Sequence, residues 1–358
     1  MDINALLATV IERRASDLHL KVKNPPMLRI DGSLVALSAP PFEAPELESL
    51  IESILTEEQR ATFRRELELD FAYSVPGLSR FRVNVFQQRG VIGAAIRTIP
   101  IAVPTMADLN LPPGLERLAE MPRGLLLVTG PTGSGKSTTL AALINHINHH
   151  RSCHIVTVED PIEYLHPDIK CIIDQREVGA DTHSFAHALR HVLRQDPDVI
   201  LVGEMRDLET IGTAITAAET GHLVFATLHT QGAAQSVERM VDVFPPYQQE
   251  QVRIQLSQSL LGVLSQALLP RRDGKGRVAA VEILKMNPAV RNLVREGKTF
   301  QIPSVIQSGS RDGMQSLNQA LRRLVEEGLV TYEEAASRAT NLEEFDQLLG
   351  RTRPAVVR

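Results

Sequence analysis

"LLLVTGPTGSGKSTTLAALINHI", residues 125–147, runs an apolar strand into a glycine-rich loop and then into a helix with apolar periodicity. Leu125 to Val128 form a short buried-strand run. Leu140, Leu143, Ile144 and Ile147 recur at i, i+3, i+4 and i+7, which is one face of a helix. Between them Gly130, Gly135, Lys136 and Ser137 fit G-x-x-x-x-G-K-[ST]. Glycines in such a loop let successive backbone N–H groups converge on an anion at the positive end of the helix. The lysine adds a point charge for the β- and γ-phosphates, and the serine hydroxyl suits Mg²⁺. The whole loop, Gly130, Pro131, Thr132, Gly133, Ser134, Gly135, Lys136, Ser137 and Thr138, is therefore the expected phosphate cradle.

Composition narrows the setting. The chain has 358 residues, a length suited to two domains, with 43% hydrophobic and 23% charged residues. A net charge of −5 argues against broad nucleic-acid binding, so no nucleic-acid partner is expected. Cys153 and Cys171 stand alone, with no C-x-x-C pair, and indicate neither a structural zinc site nor a disulfide framework, which suits a reducing cytoplasm. Arg13-Arg14 is not followed by the apolar region an export signal needs, and no apolar run approaches the roughly 18 residues of a membrane span. No direct membrane insertion is expected.

Residues 1–100 read as a small α+β unit. "LLATVIERR" has a helical pattern, while "DLHLKV", "MLRIDGSLVAL" and "SRFRVNVFQQRGVIGAAIRTI" have strand patterns. Phe81, Val83 and Val85 alternate with Arg80, Arg82 and Asn84, giving a strand with one apolar and one basic face, and "QQRG" suits a hairpin turn. The stretch 99–114 carries four prolines and little periodicity, so the interdomain linker is placed at 101–115. From residue 116 onward, strand-like runs at 125–129, 154–158, 198–202 and 222–227 alternate with helical segments, the pattern of a parallel sheet with crossover helices. Beyond about residue 245 the pattern reads as helical throughout, including "YQQEQVRIQLSQSLLGVLSQAL".

Three strand ends carry polar groups that a purely structural sheet does not need. "HIVTVEDPIE" ends with Glu159, Asp160 and Glu163, and "DPDVILVGEMRD" ends with Glu204, Arg206 and Asp207. Phosphoryl hydrolysis requires one carboxylate to orient or deprotonate water and another to hold the shell of a metal ion, so acidic strand ends beside the loop are the required parts. "TGHLVFATLHT" places His222 and His229 at the two ends of a buried strand, an odd separation that aims them to opposite faces and argues against a shared metal. His229, at the carboxyl end, is the better placed to sense a γ-phosphate.

"GPTGSGKST", "VEDPIE", "ILVGEMRDLET" and "TAAETGHLVFATLHT" resemble the Walker A, Asp box, Walker B and His box of the secretion-superfamily ATPases. Within them "ASDLHL", "RFRVN", "REVG", "MVDVFPP" and "AVRNLVRE" follow in the order found in the type IV pilus retraction ATPases. The resemblance implies an N-terminal PAS-like α+β domain, a C-terminal RecA-like α/β ATPase domain with a helical C-terminal part, and a homohexamer that hydrolyses ATP with Mg²⁺. It implies a location at the cytoplasmic face of the inner membrane, with a pilus platform protein there and a paralogous pilus ATPase as partners. It assigns Glu163 to activating water, Ser137 and Glu204 to the Mg²⁺ site (Glu204 through water), His229 to the catalytic set, and Arg82 and Arg97 to the nucleotide. One departure matters: Gly203 stands where P-loop enzymes usually carry the aspartate before the Walker B glutamate, and the choice of base between Glu163 and Glu204 stays open.

Three functions are compatible with these parts: a retraction motor or accessory paralogue, an assembly or secretion ATPase of the same superfamily, and a nucleotide-binding switch without motor activity. The chain lacks the four-cysteine zinc motif associated with assembly ATPases. "AVRNLVRE", residues 289–296, resembles the AIRNLIRE motif of retraction ATPases, with Val290, Leu293 and Val294 on an apolar face and Arg291 and Arg295 as an i, i+4 basic pair.

Overall fold

The alternation of Phe81, Val83 and Val85 with polar neighbours is realised in full: all three are buried, in a strand whose other face carries an exposed Arg82. A computed structural model of the chain describes residues 2–30, 32–100 and 102–350. They form two compact units, one reaching Ala102 and including Glu163–Leu165, the other running from Val103 to Ile162 and from His166 onward.

The first unit is an α+β arrangement around β1 (Asp17–Lys21), β2 (Met27–Ile30), β3 (Ser33–Ala36), β4 (Glu68–Val75), β5 (Ser79–Gln88) and β6 (Val91–Ile99). They join in the order β3-β2-β1-β6-β5-β4, antiparallel throughout. Helices Ile3–Glu12 and Ala44–Glu52 place Leu6, Leu7, Val10, Leu47 and Ile51 in the same core as Leu18, Leu28 and Phe81. The β5–β6 hairpin turns at Arg89 and Gly90, both with positive φ, the backbone that matches the right-handed twist of paired strands.

The second unit is built on β7 (Gly124–Thr129), β8 (His154–Glu159), β9 (Ile172–Glu177), β10 (Val199–Val202), β11 (Leu223–Leu228), β12 (Leu260–Pro270) and β13 (Arg277–Lys285). Their order is β13-β12-β7-β11-β10-β8-β9, parallel except for the β12–β13 pair. Leu125 and Leu127 point into one apolar layer, with helices Leu208–Glu219 and Ala233–Asp242. Leu126 and Val128 point into the other, where Leu140, Leu143, Ile144 and Ile147 of helix Lys136–His150 cover them. Helix-covered faces on both sides of a parallel sheet make this the RecA-like α/β unit.

Three stretches differ from expectation. The segment beyond residue 245 is not helical throughout: helix Pro246–Ser259 passes directly into β12, which pairs with β7 and carries the antiparallel β13. Leu260, Leu261, Gly262, Val263 and Leu264 form a continuous apolar run, and a strand buried on both faces has the same hydropathy signature as a buried helix. The proline-rich stretch around 101–115 contributes Met106, Leu111 and Leu115 to the core beside helix Lys136–His150. Strands β4 and β9, neither of them apolar enough to stand out, sit at sheet edges.

Gly262 marks an irregularity in the β12–β7 register, and a Cβ there would stand 2.4 Å from the Leu284 carbonyl oxygen on β13. The atom it meets is backbone, paired in the sheet, and not the free end of a flexible side chain. Gly262→Ala should destabilise the protein by about 1–3 kcal/mol, read as a lowered denaturation midpoint with an unchanged denaturant slope.

Candidate active site

The carboxyl ends of β7, β11, β10 and β8 lie side by side in the sheet, and the loops that leave them form the site. Backbone hydrogen bonds continue past the strands and hold these loops together: Gly130 N–H donates to Leu228 O at 3.3 Å, Met205 N–H to Thr227 O at 3.1 Å and Gly203 N–H to Val158 O at 2.7 Å.

The loop from Gly130 to Gly135 is shaped by glycine. Gly130, Gly133 and Gly135 all have positive φ, and a Cβ on Gly130 would lie 2.4 Å from the Gln266 carbonyl oxygen of β12. Lys136 opens the helix with Gly135 as its cap, and its Nζ donates to the carbonyls of Gly130 (2.8 Å) and Pro131 (3.1 Å). The ammonium is thus parked across the mouth of its own loop. Behind it Gln266 Nε2 donates to Thr139 Oγ1 at 2.9 Å, so β12 supports the first turn of the helix.

Beyond β10, Glu204 is the centre of a charge cluster. Arg206 grips it bidentately through one guanidinium edge, Nη2 donating to Oε2 at 2.7 Å and Nε to Oε1, and His229 Nε2 meets Oε1 at 3.1 Å. Burial opposes ionisation of Glu204, but the Arg206 hydrogen bonds and the His229 charge outweigh it and hold the carboxyl below its usual pKa. The same pairing raises Arg206. At Gly203, where the motif usually has aspartate, a Cβ would fit tightly against backbone, 3.1 Å from Val158 O and 3.2 Å from Glu159 Cα.

The other expected acidic residues separate into different roles. Glu159 Oε1 accepts from Thr157 Oγ1 (2.6 Å) and Gln175 Nε2 (3.2 Å), which ties β8 to β9. Asp207 caps helix Leu208–Glu219, accepting from the N–H and hydroxyl of Thr210. Glu163 is exposed, past the cis Asp160–Pro161 bond, in the short segment that groups with the first unit through the hydrogen bond from Leu165 N–H to Pro100 O. His222 is not part of the site: it lies at the opposite end of β11 from His229 and bonds its own turn at Ala217.

In the first unit Arg82 and Arg97 are direct cross-strand partners on β5 and β6. Like charges so placed repel, and acidic neighbours offset this. Arg97 Nε meets Asp17 Oδ1 at 2.9 Å, and Arg82 Nε lies 3.7 Å from Asp70 Oδ1. Both guanidiniums stay substantially exposed on the basic face.

Residue-type reasoning alone missed the Arg206 clamp, the support from Gln266, and Glu177. The Glu177 carboxylate, buried on β9, accepts from Ile162 N–H at 3.2 Å and anchors the loop that carries Glu163. Arg206 was visible two residues from Glu204; no local signal marked the other two. In the motif at 289–296, Val290 and Val294 are fully buried and Arg291 donates to the Ser257 and Gln258 carbonyls at the end of helix Pro246–Ser259, so most of that motif is used inside the chain.

The loop fits a nucleotide and its Mg²⁺. Its three positive-φ glycines leave a cradle that side chains would fill, Lys136 brings a cation to it, and Ser137 and the ionised Glu204 are hard oxygen donors of the kind Mg²⁺ takes. Among the described residues no helix is long and apolar enough to cross a membrane.

A family profile described as "Type II/IV secretion system protein" matches residues 1–337. The type IV pilus retraction ATPase PilT of Pseudomonas aeruginosa is 52% identical over 345 residues, covering 96% of this chain and all of the relative. A twitching motility protein of Neisseria gonorrhoeae is 53% identical over 318 residues, covering 89% of this chain and 85% of its own. The crystal structure of the pilus retraction motor PilT with bound ADP superposes with a TM-score of 0.90 at 48% identity, covering 97% of this chain and 99% of that one. By these matches the chain belongs to the type II/IV secretion system protein family, alongside the PilT pilus-retraction ATPases.

Proposed function

We propose that this ATPase is a hexameric motor that retracts type IV pili from the cytoplasmic face of the inner membrane, pulling through a pilus platform protein there and working beside a paralogous pilus ATPase. The observation that carries the chemistry is the joining of the Lys136 loop to the Glu204–Arg206–His229 cluster at neighbouring strand ends. A binding switch has no use for a carboxylate so firmly held in its ionised form.

In this reading the backbone N–H groups of the loop bind the phosphates of ATP, and Lys136 leaves the Gly130 and Pro131 carbonyls for the β- and γ-oxygens. Ser137 and Glu204, the latter through water, hold Mg²⁺, which when bound neutralises charge on the phosphate oxygens. Glu163 orients and deprotonates the attacking water. Occupancy supports this reading: both oxygens of Glu204 already accept hydrogen bonds, whereas Glu163 is exposed on its loop. His229, fixed on Glu204, responds to the γ-phosphate. Arg82 and Arg97 supply guanidinium charge to the transferring phosphoryl group, a role suited to their planar donors.

Deleting the gene should leave surface pili extended and unable to retract, and a copy carrying Lys136→Ala should fail to restore retraction. The purified Lys136→Ala protein should lose hydrolysis by about 100-fold or more while keeping its melting temperature. Near-normal turnover would remove the phosphate role of the loop.

Glu163→Gln should cut turnover by about 100-fold while ATP stays bound. Glu204→Gln should slow turnover with a marked change in Mg²⁺ dependence. If Glu163→Gln keeps most of its kcat, the base is Glu204.

Arg206→Ala releases Glu204 from the clamp that depresses its pKa. The carboxylate then protonates at a higher pH, so the acid limb of the kcat profile should move upward. A profile identical to the wild type would show that ionised Glu204 takes no part in turnover.

A further inference from the structure

One acidic side chain of the second unit lies outside the cluster just described and is nevertheless tied to it. Glu282, on β13, is largely withdrawn from water. Its Oε1 accepts from the Ala233 N–H at 2.7 Å. Ala233 and Leu317 are the first residues of helices Ala233–Asp242 and Leu317–Glu326. The carboxylate therefore serves the first-turn amide of the first of these helices, where unpaired N–H groups and the positive end of the macrodipole favour negative charge.

The first of these helices is short of its own cap. Gly232 precedes it and offers no side chain, whereas the second helix has a complete capping box from Ser316 and Gln319. Capping of Ala233–Asp242 comes instead from the β12–β13 pair: Ser265 Oγ accepts from Gly232 N–H at 2.9 Å, and its cross-strand partner Glu282 accepts from Ala233 N–H.

This junction lies four residues after His229. Between them Thr230 Oγ1 and Ser236 Oγ are 2.7 Å apart, and Ser236 Oγ meets Thr129 Oγ1 at 3.2 Å, at the end of the strand that leads into the phosphate loop. The 229–233 segment is thus fixed at one end on Glu204 and at the other on Glu282.

We propose that Glu282 is a positioning residue for turnover: it holds the start of helix Ala233–Asp242 so that His229 stays seated on Glu204. Burial pushes the Glu282 carboxyl above its usual range, and the hydrogen bond from Ala233 offsets only part of that. Loss of the carboxylate leaves the first-turn amide of Ala233 without its acceptor and frees the His229 loop, while helix Lys136–His150, on the opposite face of the sheet, keeps its place.

The inference rests on the ATPase reading, so its test has one arm that does not depend on turnover. Glu282→Ala and the isosteric Glu282→Gln are compared with the wild type for kcat and KM with ATP, for binding of a fluorescent ATP analogue, for melting temperature, and for amide hydrogen exchange. Glu282→Ala should lower kcat about tenfold with analogue affinity within about twofold of wild type, and exchange should accelerate in peptides covering 229–236. Glu282→Gln should fall between, because its amide keeps the shape and one acceptor without the charge. Wild-type kcat and wild-type exchange in the variants would overturn the proposal. So would equal losses of kcat and affinity that track a lowered melting temperature in both variants, which mark a general structural role. If the wild type itself does not hydrolyse ATP, the functional reading fails, and unchanged exchange in 229–236 would still sink the Glu282 assignment by itself.

Discussion

A close approach of backbone to backbone governs the second unit. All six residues of β7 are buried, the strand pairs with β11 on one side and β12 on the other, and the chain must then turn sharply at Gly130 against the Gln266 carbonyl. Only a residue without a Cβ passes there. The turn fixes where the helix begins, and the helix start fixes where Lys136 and Ser137 stand. The most deeply buried part of the sheet therefore determines the geometry of its most polar loop. The loop sits on a strand packed from both faces and adds its own bonds, from Ser134 N–H to Pro131 O and from Lys136 Nζ to the Gly130 and Pro131 carbonyls.

Charge around this loop is arranged with economy. Acidic residues of similar appearance in the sequence do three kinds of work: Glu159 and Asp207 bond local backbone and side chains, Glu204 is clamped in ionised form by Arg206 and His229, and Glu163 is left in water. The clamp on Glu204 offsets the cost of burial, which would otherwise drive the group to its neutral form. On the first unit the same logic holds at a solvated surface, where Asp17 and Asp70, on the flanking strands, compensate the adjacent Arg82 and Arg97.

The β12–β13 pair links these features. It supports the phosphate loop through Gln266 and the start of the His229 helix through Ser265 and Glu282, and it leads on to the C-terminal helices. Arg291 adds a further fastening, bonding the free carbonyls at the end of helix Pro246–Ser259, where a cation also suits the helix dipole.

The sequence by itself determined the phosphate loop, the strands β7, β8, β10 and β11, the apolar stripe of helix Lys136–His150, and the two-faced strand that carries Arg82. Each of these signals is local: a run of glycines, an uninterrupted apolar strand, a repeat of three and four, or a strict alternation. The motif order was also legible, and with it the family. Tertiary structure alone decided the rest. Leu260 to Leu264 became a strand because β7 offered an unpaired edge, which hydropathy cannot express. Met106, Leu111 and Leu115, in a stretch that reads as a linker, became core because helix Lys136–His150 presents an apolar face to them. Glu204 became the centre of a charge cluster, and Glu159 a tie between strands, through partners that lie 2 to 25 residues away in the chain but adjacent across the sheet. Hydrogen bonds and desolvation act over a few ångströms of space, and only the folded sheet sets which side chains share that distance.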